Sequence, residues 1–71
     1  MKKKIFIEGM SCQNCVRHVR TALERLEGVA VMEINLEGQY AIVNADIRDS
    51  IFVTGIEEMG YEVTSVEEIK D

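Results

Sequence analysis

The apolar positions of this chain change their period several times, and each change marks the border of an element. From Lys3 to Glu8 the residues alternate, with Ile5 and Ile7 on one face and Phe6 on the other, which predicts a strand. Gly9-Met10-Ser11-Cys12-Gln13-Asn14-Cys15 breaks that alternation with Gly, Ser and Asn and predicts a loop. From Cys15 onward Val16, Val19, Leu23 and Leu26 recur three or four residues apart, one stripe of a helix. Ser11 and Asn14 are its candidate N-caps, and Gly28 is its natural stop. Met32, Ile34 and Leu36 alternate with Glu33 and Asn35, the mark of a half-buried strand. After a turn at Glu37-Gly38-Gln39 the chain runs back from Tyr40 to Ala45, with Ala41 and Val43 on one face and Tyr40 and Ile42 on the other.

Residues 50–59 read two ways. Ser50-Ile51-Phe52-Val53-Thr54-Gly55 is rich in β-branched residues, and a glycine inside a helix costs about 1 kcal/mol against alanine. Against that, Phe52, Ile56 and Met59 fall at helical spacing and Glu57-Glu58 favours a helix, so a helix ending at Gly60 is the expectation. Tyr61 to Val66 then closes as a last strand before a short acidic tail. The order β-α-β-β-α-β predicts an α+β, ferredoxin-like fold: one four-stranded antiparallel sheet with both helices on a single face. The other face is expected to expose Phe6, Tyr40 and Ile42. No linker, repeat or low-complexity stretch divides residues 1–71, so one domain is expected.

Composition narrows the function classes. With 71 residues, 46% hydrophobic and 30% charged, the chain has the balance of a small globular protein. No stretch approaches the roughly 20 apolar residues of a membrane span. Lys2-Lys3-Lys4 mimics the start of a signal peptide, but Glu8 interrupts the apolar run after Ile5-Phe6-Ile7, so a mature chain beginning near Met1 in the cytoplasm is expected. Two cysteines cannot form the multi-disulfide framework of a secreted scaffold. Cys12, Cys15 and the single histidine, His18, fall short of the four ligands of a closed zinc site. The net charge of −5 disfavours nucleic acid as a partner. It divides into +3 over residues 1–28 and −8 over residues 29–71, which suggests a basic patch near the start that orients a protein partner.

Cys12-x-x-Cys15 carries the candidate chemistry. Free N–H groups and the dipole at a helix N-terminus favour a thiolate. Locally the pair resembles the thioredoxin-like redox family, but that family sets a cis-proline beside its cysteines and this chain has no proline. Two soft thiolates in an open loop suit Cu(I), which a third thiolate can attack and carry away. Hg(II) shares the taste for two thiolates, and zinc with a carboxylate completing its shell stays open. Met10 reads as a core side chain propping the loop rather than a third soft ligand. His18 reads as a solvated helix residue rather than a ligand. Arg17 and Arg20 read equally as solvated positions or, with the lysines, as a docking surface.

The wider string Gly9-Met10-Ser11-Cys12-Gln13-Asn14-Cys15 resembles the Gly-Met-x-Cys-x-x-Cys motif of heavy-metal-associated domains, the small copper chaperones and the N-terminal domains of copper-transporting P-type ATPases. The similarity continues through Ile5-x-Ile7-x-Gly9, the Leu26-Glu27-Gly28-Val29 exit of the first helix, Met32-x-Ile34-Asn35-Leu36 and Ile56-Glu57-x-x-Gly60-Tyr61-x-Val63. It departs at residues 51–55, where the family shows better helix formers. The resemblance implies the same βαββαβ fold, Cys12 and Cys15 as Cu(I) ligands, and Tyr61 in a loop near the metal. Ser11 in place of Asp favours copper over the zinc-specific relatives. The expectation is a non-enzymatic, cytoplasmic copper chaperone that passes Cu(I) by thiolate exchange to a copper-transporting P-type ATPase. It would act as a monomer or as a copper-bridged dimer. The alternatives are an ATPase N-terminal domain with the same site, a mercury or zinc carrier, and a thiol-disulfide redox protein.

Overall fold

In a computed structural model, residues 1–69 of the chain are described. The elements follow in the order β1 (Lys2–Glu8), α1 (Gln13–Glu24), β2 (Val29–Asn35), β3 (Tyr40–Ala45), α2 (Asp49–Glu57) and β4 (Glu62–Ile69). The strands form one sheet in the order β2-β3-β1-β4, with every neighbouring pair antiparallel. This is the ferredoxin-like arrangement expected from the periodicity. Ile5 and Ile7 of β1 and Ala41, Val43 and Ala45 of β3 point to one face. There they meet Val19 and Leu23 of α1 and Phe52 and Ile56 of α2 in a single buried cluster. The helices therefore cover one side of the sheet, because only that side carries a continuous apolar surface.

The ambiguous segment is a helix. Its β-branched residues are tolerated because Phe52 and Ile56 are fully buried against the sheet, so packing overrides local propensity. Met59, expected on the same stripe, lies past the last turn and is 42% exposed.

Two strands depart from simple alternation. In β2 the pairing runs Val31 to Val43 and then Glu33 to Ile42, leaving Met32 as the extra residue of a bulge. Met32 is thereby turned out to 52% exposure; of the inward residues that the alternation implied, Ile34 and Leu36 pack against the core, and Val29 and Val31 take the place of Met32. In β4 the extra residue is Thr64, whose hydroxyl donates to the Phe6 carbonyl at 3.3 Å. The strand continues to Ile69, so Glu67 and Glu68 belong to it and not to an acidic tail; Lys70 and Asp71 lie outside the described residues.

The outer sheet face is less bare than expected. Phe6, Tyr40 and Ile42 are half-buried. The Lys4 ammonium sits 4.3 Å from the Tyr40 ring centroid and 5.1 Å from that of Phe6. Tyr40 donates its hydroxyl to Glu33 at 3.1 Å. A cation over two rings is favourable and screens both from water.

Candidate metal centre

β1 delivers the chain to Gly9, whose φ of +103° turns the backbone out of the sheet. A side chain there would be strained by that backbone and would also meet the Tyr61 ring at 3.5 Å. Met10 then drops into the core at 4% exposure, so it props the loop as expected. Cys12 is the N-cap of α1, a position expected for Ser11 or Asn14. Its carbonyl accepts from the Cys15 and Val16 amides at 3.0 and 3.3 Å. This first turn brings the two sulfurs together across an exposed helix N-terminus.

Cys12 Sγ and Cys15 Sγ are 3.8 Å apart, and both thiols are free. A disulfide holds its sulfurs at about 2.05 Å. Two metal–sulfur bonds of the length found at zinc, about 2.3 Å, span at most about 4.6 Å. The separation therefore fits one soft ion between two sulfurs. Cys12 is exposed and Cys15 half-buried. Among the described residues no group of three or more His, Cys, Asp or Glu side chains is gathered, so His18 does not complete a three-ligand set with the cysteines. Two surface hollows, one beside Met1, Gly28 and Asp46 and one between α1 and α2 beside Ala22 and Met59, are lined by neither cysteine.

The sulfurs differ in what touches them. The Ser11 backbone N–H, the Tyr61 hydroxyl and the Ser11 hydroxyl all hydrogen-bond Cys15, and they lower its pKa from 9.0 to about 6 against a smaller opposing effect of burial. The Ser11 Oγ to Cys15 Sγ distance is 3.7 Å. The same contact with Cys15 pushes Tyr61 up to about 12, because the donated proton is held by the neighbouring sulfur. Tyr61 Oη also lies 3.3 Å from His18 Nδ1. Tyr61 thus stands against the thiol pair, as the resemblance implied, and His18 is an exposed helix residue that reaches Tyr61.

The expected basic patch divides. The lysines of β1 sit at the end of the strand remote from Gly9. Lys3 is held there by Asp49 of α2 at 3.5 Å and Glu68 of β4 at 3.9 Å, and Lys4 is spent on the aromatic pair. Arg17 and Arg20 do not join them, and Arg20 faces Glu24 at 3.9 Å.

Two neighbours of the site make contacts that the sequence did not foretell. Ser11 acts on Cys15 rather than as a cap. Gln39, in the β2–β3 turn 29 residues after Met10, donates its side-chain amide to the Met10 carbonyl at 2.5 Å.

Comparison with known proteins gives the kinship. A CopZ copper chaperone of Bacillus subtilis is 39% identical over 66 residues, covering 87% of this chain and 94% of that protein. A mercuric reductase of Shewanella putrefaciens is 40% identical over 57 residues, but the chain spans only 10% of its length. A probable copper-exporting P-type ATPase of Archaeoglobus fulgidus is 35% identical over 66 residues, with 8% of its length covered. The solved structure of a CopZ metallochaperone superposes with a TM-score of 0.85 at 33% identity, covering 90% of this chain and all of that one. The heavy-metal-associated domain family matches residues 4–62, and the chain belongs to it.

Proposed function

We propose that residues 1–71 act as one carrier module that holds Cu(I) between Cys12 and Cys15 and passes it to the paired thiolates of a copper-exporting P-type ATPase. The observation that carries this reading is the pair of free sulfurs 3.8 Å apart on an exposed helix N-terminus, with no gathered third ligand among the described residues. Soft thiolates select Cu(I) over harder ions, and a two-coordinate ion leaves room for an incoming sulfur. Transfer then proceeds by exchange of like bonds. A partner thiolate binds the ion, the bond to the exposed Cys12 breaks, and a second partner thiolate displaces Cys15. Any proton lost by the partner's thiols is taken up by the cysteines released, and no electron changes hands. Kinship with CopZ chaperones and with a copper-exporting ATPase supports both cargo and recipient. Free thiols support the reducing cytoplasm as the place of work.

Kinship with a mercuric reductase supports Hg(II) as the second reading of the cargo. Competition among Cu(I), Hg(II) and Zn(II) under reducing conditions, read by mass spectrometry, separates the readings. One Cu(I) per chain in preference to Zn(II) is expected. Replacing both Cys12 and Cys15 by Ser should abolish Cu(I) binding and leave the circular dichroism spectrum unchanged. Tight binding in the double variant would overturn the ligand assignment.

A further inference from the structure

The turn between β2 and β3 is built against the usual choice of residues. Leu36 to Gln39 closes with the Gln39 amide donating to the Leu36 carbonyl at 3.3 Å. The left-handed position falls on Gln39, with φ +57°, the one non-glycine residue at positive φ among those described. Glycine is the ordinary occupant of such a position, and a side chain there carries a strain cost. A glycine does stand next door. Gly38 fills a place where a Cβ would collide with the Tyr40 ring, and it leaves the strained position to glutamine.

The Gln39 side chain makes contacts that glycine cannot. Its Nε2 donates both to the Leu36 carbonyl at 2.7 Å and to the Met10 carbonyl at 2.5 Å. Both partners are acceptors, which fixes the amide orientation: only the NH₂ end can face two carbonyls. Its own carbonyl accepts from the Ile7 amide at 2.9 Å, two residues before the loop leaves β1. One residue therefore ties the end of β1, the cysteine loop and the β2–β3 turn together. Met10 is held from two sides, its side chain by the core and its carbonyl by Gln39. Ser11 and Cys12 follow immediately.

We propose that Gln39 is a positioning residue for metal binding, a clamp on the Met10 carbonyl that holds the cysteine loop at the geometry from which Cys12 and Cys15 grip one ion. The clamp touches neither sulfur. It acts through the backbone that carries Cys12, and without it the loop can move relative to α1, which carries Cys15. The effect on metal release rests on the two cysteines being the ligands; the effect on loop order does not.

Gln39→Gly is the informative variant, because it relieves the backbone strain while removing the amide. Gln39→Met removes the donor at similar length, and Gln39→Lys restores a donor. Two readouts are needed: amide hydrogen exchange of Cys15 and Val16 in the metal-free protein, and the rate of Cu(I) loss to a chelator in excess. The expected result is faster exchange at both amides in Gln39→Gly and Gln39→Met. Cu(I) loss should accelerate about tenfold, the scale of one or two lost hydrogen bonds, with melting temperature held or raised in Gln39→Gly. Gln39→Lys should stay near the parent in both readouts. Parent-like exchange and parent-like Cu(I) loss in both donor-less variants would overturn the clamp. If the parent itself bound no Cu(I), the proposed function would fall while the exchange readout still decided the clamp.

Discussion

Cys15 and Cys12 share a motif but not an environment. The Ser11 amide, the Tyr61 and Ser11 hydroxyls and the Cys12 amide converge on Cys15, so its thiol ionises at about 6 while the ordinary value is 9.0. A depressed folded-state pKa means that the thiolate stabilises the fold in full above 9.0. That contribution shrinks as the pH falls and is gone below about 6, where protons also compete with metal for the sulfur. Tyr61→Phe removes one donor. In a Cys12→Ser background, the pH profile of Cys15 alkylation should then move its midpoint upward from about 6; an unmoved profile would show that Tyr61 does not donate to this thiol. At this scale the cysteines themselves were legible, because a Cys-x-x-Cys after a strand and before a helix is a local pattern. Ser11 and Gln39 were not, because their roles are contacts through space. Nothing in the sequence around Gln39 says which carbonyl, 29 residues earlier, its amide will meet.

At the scale of elements, periodicity located all six segments and missed where two strands slip phase. Met32 and Thr64 are inserted residues, and each resets a period of two that the eye carries straight through. The weak helix signal over 50–59 has a different cause: α2 is held by the burial of Phe52 and Ile56 more than by its own propensity. Gly55 within it is testable. Its backbone is not at positive φ, and an added Cβ would meet only the Leu26 Cδ1 at 3.8 Å, an ordinary contact. Gly55→Ala should therefore stabilise the protein by about 0.8–1 kcal/mol, read as a raised urea midpoint. A lowered midpoint would mean that the helices cannot accept even a methyl group at their contact.

For the molecule as a whole, one small core carries nearly everything. A chain of this size holds only about 4 to 10 kcal/mol of stability. Phe52 is fully buried at the centre of the cluster. Phe52→Ala should cost about 3–5 kcal/mol and remove most of the cooperative transition in chemical denaturation at 37 °C. A loss below about 1 kcal/mol would mean that the core collapses around the gap. Charge also reads differently at this scale. The basic surplus of residues 1–28 is a property of the sequence and not of a surface. The lysines brace the pole away from the thiols, and Lys3 ties β1 to both α2 and β4 there.

That bracing has a geometric consequence. Lys2 pairs with Ile69 across the sheet, and the Met1 ammonium donates to Asn44 Oδ1 at 2.8 Å. β1 then runs seven residues, about 20 Å, before the chain reaches the cysteine loop. Both described ends of the chain thus leave from the pole opposite the sulfurs. Anything joined at either end, whether an affinity handle, a neighbouring copy or a membrane-bound recipient, acts as a tether fixed to the base of a probe whose tip stays free. The reach of such a tether grows as about 5–6 Å times the square root of its residue count when it is flexible. Linker length alone would then tune how often the tip meets its target, with no change at the site itself.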